Sequence, residues 1–371
     1  MFDLKQSEIM QLSETDSLLD ILSHFPEVGK VTSVSPLTSG LINRTFRVAA
    51  TDGREYILQR VNHEVFKDVP LLQSNIEIVT RHLRKKLEQQ GADDIDRKVL
   101  RFLAADTGAT YHFNGEGYWR VCVFIAGSVT LSAVTPETSY LVGLKFGEFE
   151  SMLADLPERL GETIPDFHNM ELRIAQLREA VEADRAGRLG EVREMVDAIE
   201  GDAYAMCAAE RLYREGRLPK RVCHCDTKVS NMLFDEAGKV LCIIDLDTTM
   251  PSFVFSDFGD FLRSAANTAA EDEPDVDKVH FDMDIFKAFA KGYIESAAGF
   301  LTPLERDMLP FAVALFPYMQ AVRFLADYLN GDTYYRIAYK DHNLVRARAQ
   351  YRLYREVLGA TPAIESHIAS L

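Results

Sequence analysis

The stretch His224-Cys225-Asp226-Thr227-Lys228-Val229-Ser230-Asn231 decides the fold, together with the apolar run Val240-Leu241-Cys242-Ile243-Ile244-Asp245 that follows it. It offers a carboxylate at Asp226, a carboxamide at Asn231 and a second carboxylate at Asp245, at the end of a strand-like segment. The turn at 235–239 joins the two pieces as a hairpin. Phosphoryl transfer needs a positioned hydroxyl and neutralised phosphate oxygens. The stretch therefore predicts a phosphoryl-transfer site.

Each residue of this stretch has an expected role. We expect Asp226 to bind and deprotonate an acceptor hydroxyl, and Lys228 to reach the γ-phosphate of ATP. Asn231 and Asp245 carry oxygen atoms of the kind that Mg²⁺ prefers. Asp247 lies two residues beyond Asp245 and is a candidate second metal ligand or substrate contact. ATP and Mg²⁺ are therefore the expected cofactors.

A second acidic motif follows. Asp257-Phe258-Gly259 has the letters of the metal-binding motif of protein kinases, but it lies too far beyond Asp226 for that role. We expect Asp257 and Asp260 to brace the loop by accepting hydrogen bonds from its backbone amides. His224 is expected to hold the same loop and to take no part in the reaction.

Composition narrows the class of protein. The 371 residues are 47% apolar and 26% charged, as in an ordinary soluble globular protein with room for two lobes. A net charge of -16 argues against a nucleic-acid partner, because a phosphate backbone attracts basic surfaces. The odd number of cysteines, five, and the absence of a basic start followed by an apolar run predict reduced thiols and a cytoplasmic location. No membrane partner is expected, and the oligomeric state is left open.

The pattern of apolar residues changes along the chain. Residues 1–125 are expected to form a nucleotide-binding lobe with a small antiparallel sheet, and 126–371 a mainly helical catalytic and acceptor-binding lobe. We therefore expect an α+β fold with two lobes, which resembles that of the protein kinases. The expected strands are 31–37, 43–50, 54–62, 98–103 and 118–125. The expected helices are 14–24, 70–90, 136–155, 171–199, 201–216, 283–298, 303–330 and 341–358.

The first expected lobe should contain the nucleotide site. Gly40, Asn43 and Arg44 lie in a turn between two strands, where backbone amides can approach phosphates. No phosphate-binding loop of the Walker type is present in the sequence. In the third strand either Gln59 or Arg60 faces the phosphates, since neighbouring side chains point to opposite faces.

Three further residues complete the expected nucleotide site. Glu77, in the following helix, is a candidate partner for a phosphate-contacting cation, although Asn75 or an ordinary solvated helix face competes with it. Phe124 and Ile125 lie at the expected hinge between the lobes.

These residues together resemble the aminoglycoside phosphotransferase and choline kinase-like family. The similarity covers nearly the whole chain. Within that family the chain is most similar to the N-acetylhexosamine 1-kinases, on the strings Tyr56–Asn62, His224–Asn231 and Asp257–Phe261. The resemblance implies phosphorylation of the anomeric hydroxyl of N-acetylglucosamine or N-acetylgalactosamine. It also implies that Asp226 is the base and that Asn231 and Asp245 are metal ligands.

The acceptor side is expected on a long C-terminal helix. Tyr318, Arg323 and Tyr328 are the candidate sugar contacts, and a core role for these aromatic residues is the alternative. Arg323 is favoured because a cation in an apolar run must find a partner. The competing functions are phosphorylation of choline, a pentose derivative or an aminoglycoside, and a non-catalytic nucleotide-binding module.

Overall fold

The computed structural model describes residues 16–37 and 42–371, and the predicted turn at Gly40 lies outside them. The chain divides into two compact units. The first comprises residues up to Val129 with Phe234–Ala237 and Leu241–Thr248, and the second comprises Thr130–Leu233, Gly238–Val240 and Thr249–Leu371. An antiparallel sheet near the N-terminus and a helical C-terminal part confirm the predicted α+β class. The predicted lobes, 1–125 and 126–371, stay a prediction.

The first unit is built on a five-stranded antiparallel sheet. Its elements are a helix α1 over 16–23, β1 (Val31–Leu37), β2 (Arg44–Ala50), β3 (Glu55–Val61), α2 (Val69–Gln89), α3 (Ile95–Lys98), β4 (His112–Phe113) and β5 (Tyr118–Val123). The strands lie in the order β1-β2-β3-β5-β4 across the sheet. Alternate residues of β2, including Phe46 and Val48, are buried. The Asp52-Gly53 turn joins β2 to β3 as predicted, and Gly53 supplies the positive φ of 82° that the turn requires.

The predicted strand at 98–103 is replaced by other structure. Its start belongs to α3, and Phe102 forms an isolated bridge with Cys122 of β5. The short strand β4, which was not predicted, pairs with the other end of β5 at Trp119 and Tyr118. The free edge of β5 is therefore shared by two segments that are each too short for an alternating pattern.

The second unit is mainly helical. Its helices are α4 (Pro136–Leu153), α5 (Met170–Ala183), α6 (Leu189–Met206), α7 (Ala208–Arg214), α8 (Phe255–Ala265), α9 (Met283–Ala297), α10 (Pro303–Asp307), α11 (Leu309–Leu329) and α12 (His342–Ser370). Short strands β6 (Arg221–Cys223) and β9 (Met250–Ser252) pair with each other. The predicted hairpin is present as the two-stranded sheet of β7 (Met232–Phe234) and β8 (Val240–Ile243).

Local signals explain where several helices begin and end. Thr135 and Thr302 cap α4 and α10, each followed by proline, as the sequence predicts. The single helix expected at 171–199 is wrong. The chain breaks between α5 and α6, where Asp184 and Gly187 have positive φ. Helix α8 was not predicted.

Two close helix contacts depend on glycine. A side chain at Gly292 of α9 would collide with the backbone of Tyr140 in α4, and one at Gly259 of α8 would collide with the backbone of Ala312 in α11. Helix α11 is the one helix of the described residues that is long and apolar enough to cross a bilayer. However, 78% of its most apolar window is buried inside the protein, as in the core helix of a soluble protein.

Candidate active site

The loop between β6 and β7 is held by two carboxylates of α8. Asp257 accepts hydrogen bonds from the backbone amides of His224 at 2.6 Å and Cys225 at 2.7 Å. Asp260 accepts one from the amide of Thr227 at 3.0 Å. The bracing role predicted for both acids is confirmed. The Asp-Phe-Gly motif at 257–259 therefore supports the loop. Its glycine, Gly259, allows α8 to pack closely against α11.

His224 also has the structural role that was expected. Its side chain is fully buried, and its Nδ1 accepts a hydrogen bond from the amide of Asp226 at 3.2 Å. The rings of Phe146 and Phe149 meet the imidazole edge to face. Cys225 adopts a left-handed φ of 63°, which turns the chain before Asp226.

Asp226 lies at the centre of a compact polar group. The Nδ2 of Asn231 donates to the backbone oxygen of Asp226 at 2.9 Å and to its Oδ2 at 3.1 Å. The Nζ of Lys228 lies 3.0 Å from the same Oδ2. The Asp226 side chain keeps 21% of its surface exposed, so a ligand can reach it. Three residues predicted from one short motif are thus in direct contact.

Buried acids surround the base of this loop. Burial raises the pKa of Asp257 to about 6, although two backbone amides favour its charged form. Burial, followed by the charge of Asp257, raises the pKa of Glu150 well above its usual range. Glu150 accepts a hydrogen bond from the Tyr293 hydroxyl. Burial and mutual repulsion therefore disfavour simultaneous ionisation of Asp257 and Glu150 beneath the loop.

The first unit holds Asp245 and Asp247. Asp245 follows β8 with a left-handed φ of 60°, a conformation that is rare outside glycine and frequent at functional sites. Asp247 is buried, and its Oδ1 lies 2.7 Å from Nη1 of Arg120 in β5. Its Oδ2 accepts a hydrogen bond from Nδ2 of Asn43 at 2.8 Å. The metal roles of both aspartates stay predictions.

Arg120 is the residue of this region that sequence reasoning missed. Its Nε and Nη2 donate to Oε1 of Gln59 at 3.0 and 2.8 Å, and its Nη1 donates to Oε1 of Gln73 at 3.0 Å. The guanidinium is therefore surrounded by acceptors from β3 and α2, in addition to Asp247. An arginine within the apolar strand 118–123 was the available signal.

The two candidates on β3 face different surroundings. Gln59 bonds to Arg120 inside the unit, whereas Arg60 lies near the ring of Trp119 and donates to the backbone oxygen of Glu116 at 3.4 Å. Glu77 accepts a hydrogen bond from the Thr110 hydroxyl at 2.5 Å. Which of these residues contacts a nucleotide stays a prediction.

The remaining predicted nucleotide contacts lie close to the same sheet. The backbone amide of Phe124 donates to the backbone oxygen of Glu55 in β3 at 3.0 Å, and Ile125 is buried. The guanidinium of Arg44 lies 5.6 Å from the centre of the Phe46 ring. Their contacts with nucleotide also stay predictions.

The structure separates the three predicted acceptor contacts. The Tyr318 hydroxyl donates to the backbone oxygen of Ile199 at 2.7 Å, and the Tyr328 hydroxyl donates to Glu191 at 3.1 Å. Both rings are buried in the helical core, where burial raises the pKa of Tyr328 to about 12. Neither hydroxyl joins Arg323. Their role in acceptor binding stays a prediction without structural support.

Arg323 instead belongs to a cluster that the sequence did not predict. Its guanidinium lies 5.5 Å from the ring centres of both Phe167 and Tyr335. His168 stacks on Phe167 with ring centres 4.5 Å apart. Burial and then the charge of Arg323 lower the pKa of nearby Arg173 to about 10. No motif links these residues, and only the three-dimensional fold brings them together.

Comparison with known proteins identifies the family. The family model described as "Phosphotransferase enzyme family" matches residues 33–291, and the chain belongs to this family.

Solved structures agree with this fold. An aminoglycoside phosphotransferase from Alicyclobacillus acidocaldarius is 15% identical with a TM-score of 0.64, covering 95% of this chain and 96% of that one. The amicoumacin kinase hAmiN, in complex with AMP-PNP, Ca²⁺ and Ami, is 13% identical with a TM-score of 0.58, covering 94% and 96%. A choline kinase from Cryptosporidium parvum is 15% identical with a TM-score of 0.55, covering 90% and 91%. The protein is thus a phosphotransferase by family and kinase-like by fold.

Proposed function

We propose that the protein is an ATP- and Mg²⁺-dependent kinase that phosphorylates the anomeric hydroxyl of an N-acetylhexosamine, giving the sugar 1-phosphate. The observation that carries the proposal is the fixed and partly exposed carboxylate of Asp226, held by Asn231 and Lys228 on a braced loop. The choice of sugar rests on the resemblance of the strings Tyr56–Asn62, His224–Asn231 and Asp257–Phe261.

In this reaction Asp226 accepts a hydrogen bond from the sugar hydroxyl and takes its proton as the oxygen attacks the γ-phosphorus. The bond between that phosphorus and the β,γ-bridging oxygen breaks, and ADP leaves. Lys228, already 3.0 Å from Asp226, offers positive charge beside the transferring group. The braces from Asp257 and Asp260 support the reaction indirectly, because they fix the backbone that carries both residues.

We propose Asn231 and Asp245 as the ligands of a magnesium ion. Asn231 uses its Nδ2 on Asp226, so its amide oxygen is the atom left for a metal, and Asp245 offers a carboxylate. Bound Mg²⁺ would neutralise charge on the β- and γ-phosphates. For the nucleotide we propose Asn43, Gln59 and the hinge residues Phe124 and Ile125.

The test is ADP release with N-acetylglucosamine or N-acetylgalactosamine as acceptor. Asp226→Asn keeps the size of the side chain but removes the base, and we expect kcat to fall about a thousandfold. Asp245→Asn should lower turnover by a similar factor and weaken its dependence on Mg²⁺. Proton and phosphorus NMR of the product should place the new phosphate on the anomeric carbon.

Glu236→Gln provides the matched control. It is also an acid-to-amide change, in the exposed turn of the same hairpin, and should leave kcat within twofold. Full turnover in both aspartate variants would refute the proposed mechanism. Phosphate transfer to choline or an aminoglycoside, with none to either amino sugar, would refute the proposed acceptor.

A further inference from the structure

Three segments of the second unit bring two arginines together. The guanidinium of Arg323 in α11 lies 5.5 Å from the ring centres of both Phe167 and Tyr335, and its Nη1 donates to the neutral side chain of Gln320 at 2.8 Å. Arg173 of α5 donates through Nη2 to the backbone oxygen of Phe167 at 2.7 Å and through Nη1 to the neutral Gln176 at 3.0 Å. We call Arg173 and Arg323 the arginine pair.

The positive charge of the arginine pair lacks a direct counter-charge. Among residues 16–37 and 42–371, neither guanidinium forms an ion pair with a carboxylate. Two acids act from farther away. Asp166 favours the charged form of Arg173, and Glu271 acts on Tyr335 but is already paired with Arg263 at 2.9 Å. This local excess of positive charge contrasts with the chain as a whole, whose net charge is -16.

Unsatisfied polar atoms lie beside the arginine pair. The Tyr335 hydroxyl and the Nδ1 of His168 are both buried and have no hydrogen-bond partner within the described part of the chain. A buried polar group without a partner destabilises a protein, so such groups usually have a partner that is a water or a ligand. A ligand with several oxygen atoms would satisfy the Tyr335 hydroxyl and both guanidinium groups at once.

The charge of the proposed base, Asp226, acts on His168 of the cluster. Burial and then the charges of Arg323 and Arg173 lower the pKa of His168 to about 3, while the charge of Asp226 acts in the opposite direction. His168 therefore lies within electrostatic reach of both the arginine pair and Asp226. All four residues belong to the second unit. A small acceptor held by the arginine pair could present a hydroxyl to Asp226.

We propose that the arginine pair and the Tyr335 hydroxyl bind an anionic substituent of the acceptor, either a carboxylate or a sulfate. This inference rests on the proposed function and narrows its substrate class to acidic N-acetylhexosamines. Guanidinium groups suit both anions because their donors match paired oxygens in geometry. The same charges disfavour choline and aminoglycosides, which are cations.

The first test compares acceptors in the full-length enzyme with ATP and Mg²⁺. We expect kcat/KM for N-acetylglucosamine 6-sulfate, or for an amino sugar with a carboxylate, to exceed that for N-acetylglucosamine by about tenfold or more. Arg323→Met and Tyr335→Phe should each reduce this ratio toward one. Tyr335→Phe also guards against misfolding, since the hydroxyl that it removes has no partner in the described structure.

Arg178→Gln is the control for a general change of charge. Arg178 lies on the same helix as Arg173 but is 61% exposed and paired with Glu200, so its loss should leave the ratio unchanged. Equal use of acidic and neutral sugars by the unchanged enzyme would overturn the proposal. A ratio that Arg323→Met leaves intact would also overturn it.

A second readout does not depend on catalysis. Thermal unfolding is compared in sodium sulfate and in sodium chloride at equal ionic strength, with inorganic sulfate as the probe. Sulfate should raise the melting temperature of the unchanged protein more than that of Arg323→Met or Tyr335→Phe. If no amino sugar is phosphorylated but this difference is present, the proposed function fails and the anion site stands. If the difference is absent, the anion site is refuted.

Discussion

The buried Arg120 and the arginine pair have opposite electrostatic surroundings. Arg120 of the first unit is 2% exposed and contacts the carboxylate of Asp247 and the side-chain oxygens of Gln59 and Gln73. The arginine pair of the second unit has only neutral partners among the described residues, and burial and then the charge of Arg323 lower the pKa of Arg173. A buried charge with a complete set of partners is costly to lose, because its removal leaves those partners buried without their counter-charge. A charge without them is suited to an anion from outside.

The contrast also separates structural from binding roles. Arg120 and Asp247 connect β5 with the segment after Asp245, and Asn43 adds a link to the start of β2. Losing Arg120 or Asp247 leaves the other charge buried without this ion pair. Losing a member of the arginine pair removes repulsion. Substitution of each arginine by methionine, which has a similar length and no charge, tests this difference directly.

The largest effect on stability is expected for Arg120→Met. Because Asp247 would stay buried without its cation, the free energy of unfolding should fall by about 3–5 kcal/mol. The measurement is urea unfolding followed by fluorescence of Trp119, the single tryptophan, which lies next to Arg120 in β5.

The double variant Arg120→Met/Asp247→Asn provides the control for this explanation. Removing both charges should restore part of the lost free energy of unfolding, since no charge is then left unpaired. A double variant less stable than Arg120→Met would show that the ion pair is not the source of the effect.

An intermediate effect on stability is expected for His168, whose pKa is lowered by burial and by the charges of the arginine pair. Its folded pKa is about 3 and its ordinary value is 6.5, so the folded state favours the neutral ring. This contribution to stability is complete above pH 6.5 and is lost as the pH falls toward 3. Between pH 6.5 and pH 5 the unchanged protein should lose about 1.5 kcal/mol more of its free energy of unfolding than His168→Gln.

The cause of this pH dependence can be tested as well. Burial and then two guanidinium charges keep the ring neutral, and Arg323→Met removes one of these charges, so the folded pKa should rise and the total loss of stability between pH 6.5 and pH 3 should become smaller. Parallel pH profiles for the unchanged protein and His168→Gln would contradict a neutral, buried imidazole. Chemical unfolding at a series of pH values supplies both comparisons.

The sequence was informative where the contacts are local. Asp226, Lys228 and Asn231 lie within six residues, and their contact was predictable from one loop. The hairpin turns and the caps at Thr135 and Thr302 were also predicted, because single residues with special backbone preferences specify them. Asp257 could be assigned as a brace because its spacing from Asp226 excluded the metal role.

Long-range pairing was beyond sequence reasoning. We applied to Arg323 the argument that a cation in an apolar run must find a partner. Of the two arginines in such runs, however, it is Arg120, in the run 118–123, that pairs with a carboxylate. Asp247 lies far from Arg120 in sequence, and only sheet register and the path after β8 bring them together. In the same way, His168 and Arg173 lie on one segment, at the start of α5, whereas Arg323 and Tyr335 come from α11 and the loop after it. Residue type indicated that a partner was needed, but not which partner.

The smallest effect on stability, and the sharpest test of the comparison, is expected for Arg323→Met. The substitution removes a half-buried charge that has no carboxylate partner among the residues that the structure describes, and it relieves the repulsion on Arg173. The free energy of unfolding should therefore change by less than about 1 kcal/mol, or rise slightly, in the same urea experiment that shows a large loss for Arg120→Met. Equal losses in the two variants would mean that Arg323 supports the fold as Arg120 does. An Arg323→Met protein that is stable but whose melting temperature no longer rises in sulfate would separate binding from folding. The Arg323 side chain would then be required for anion binding and dispensable for folding.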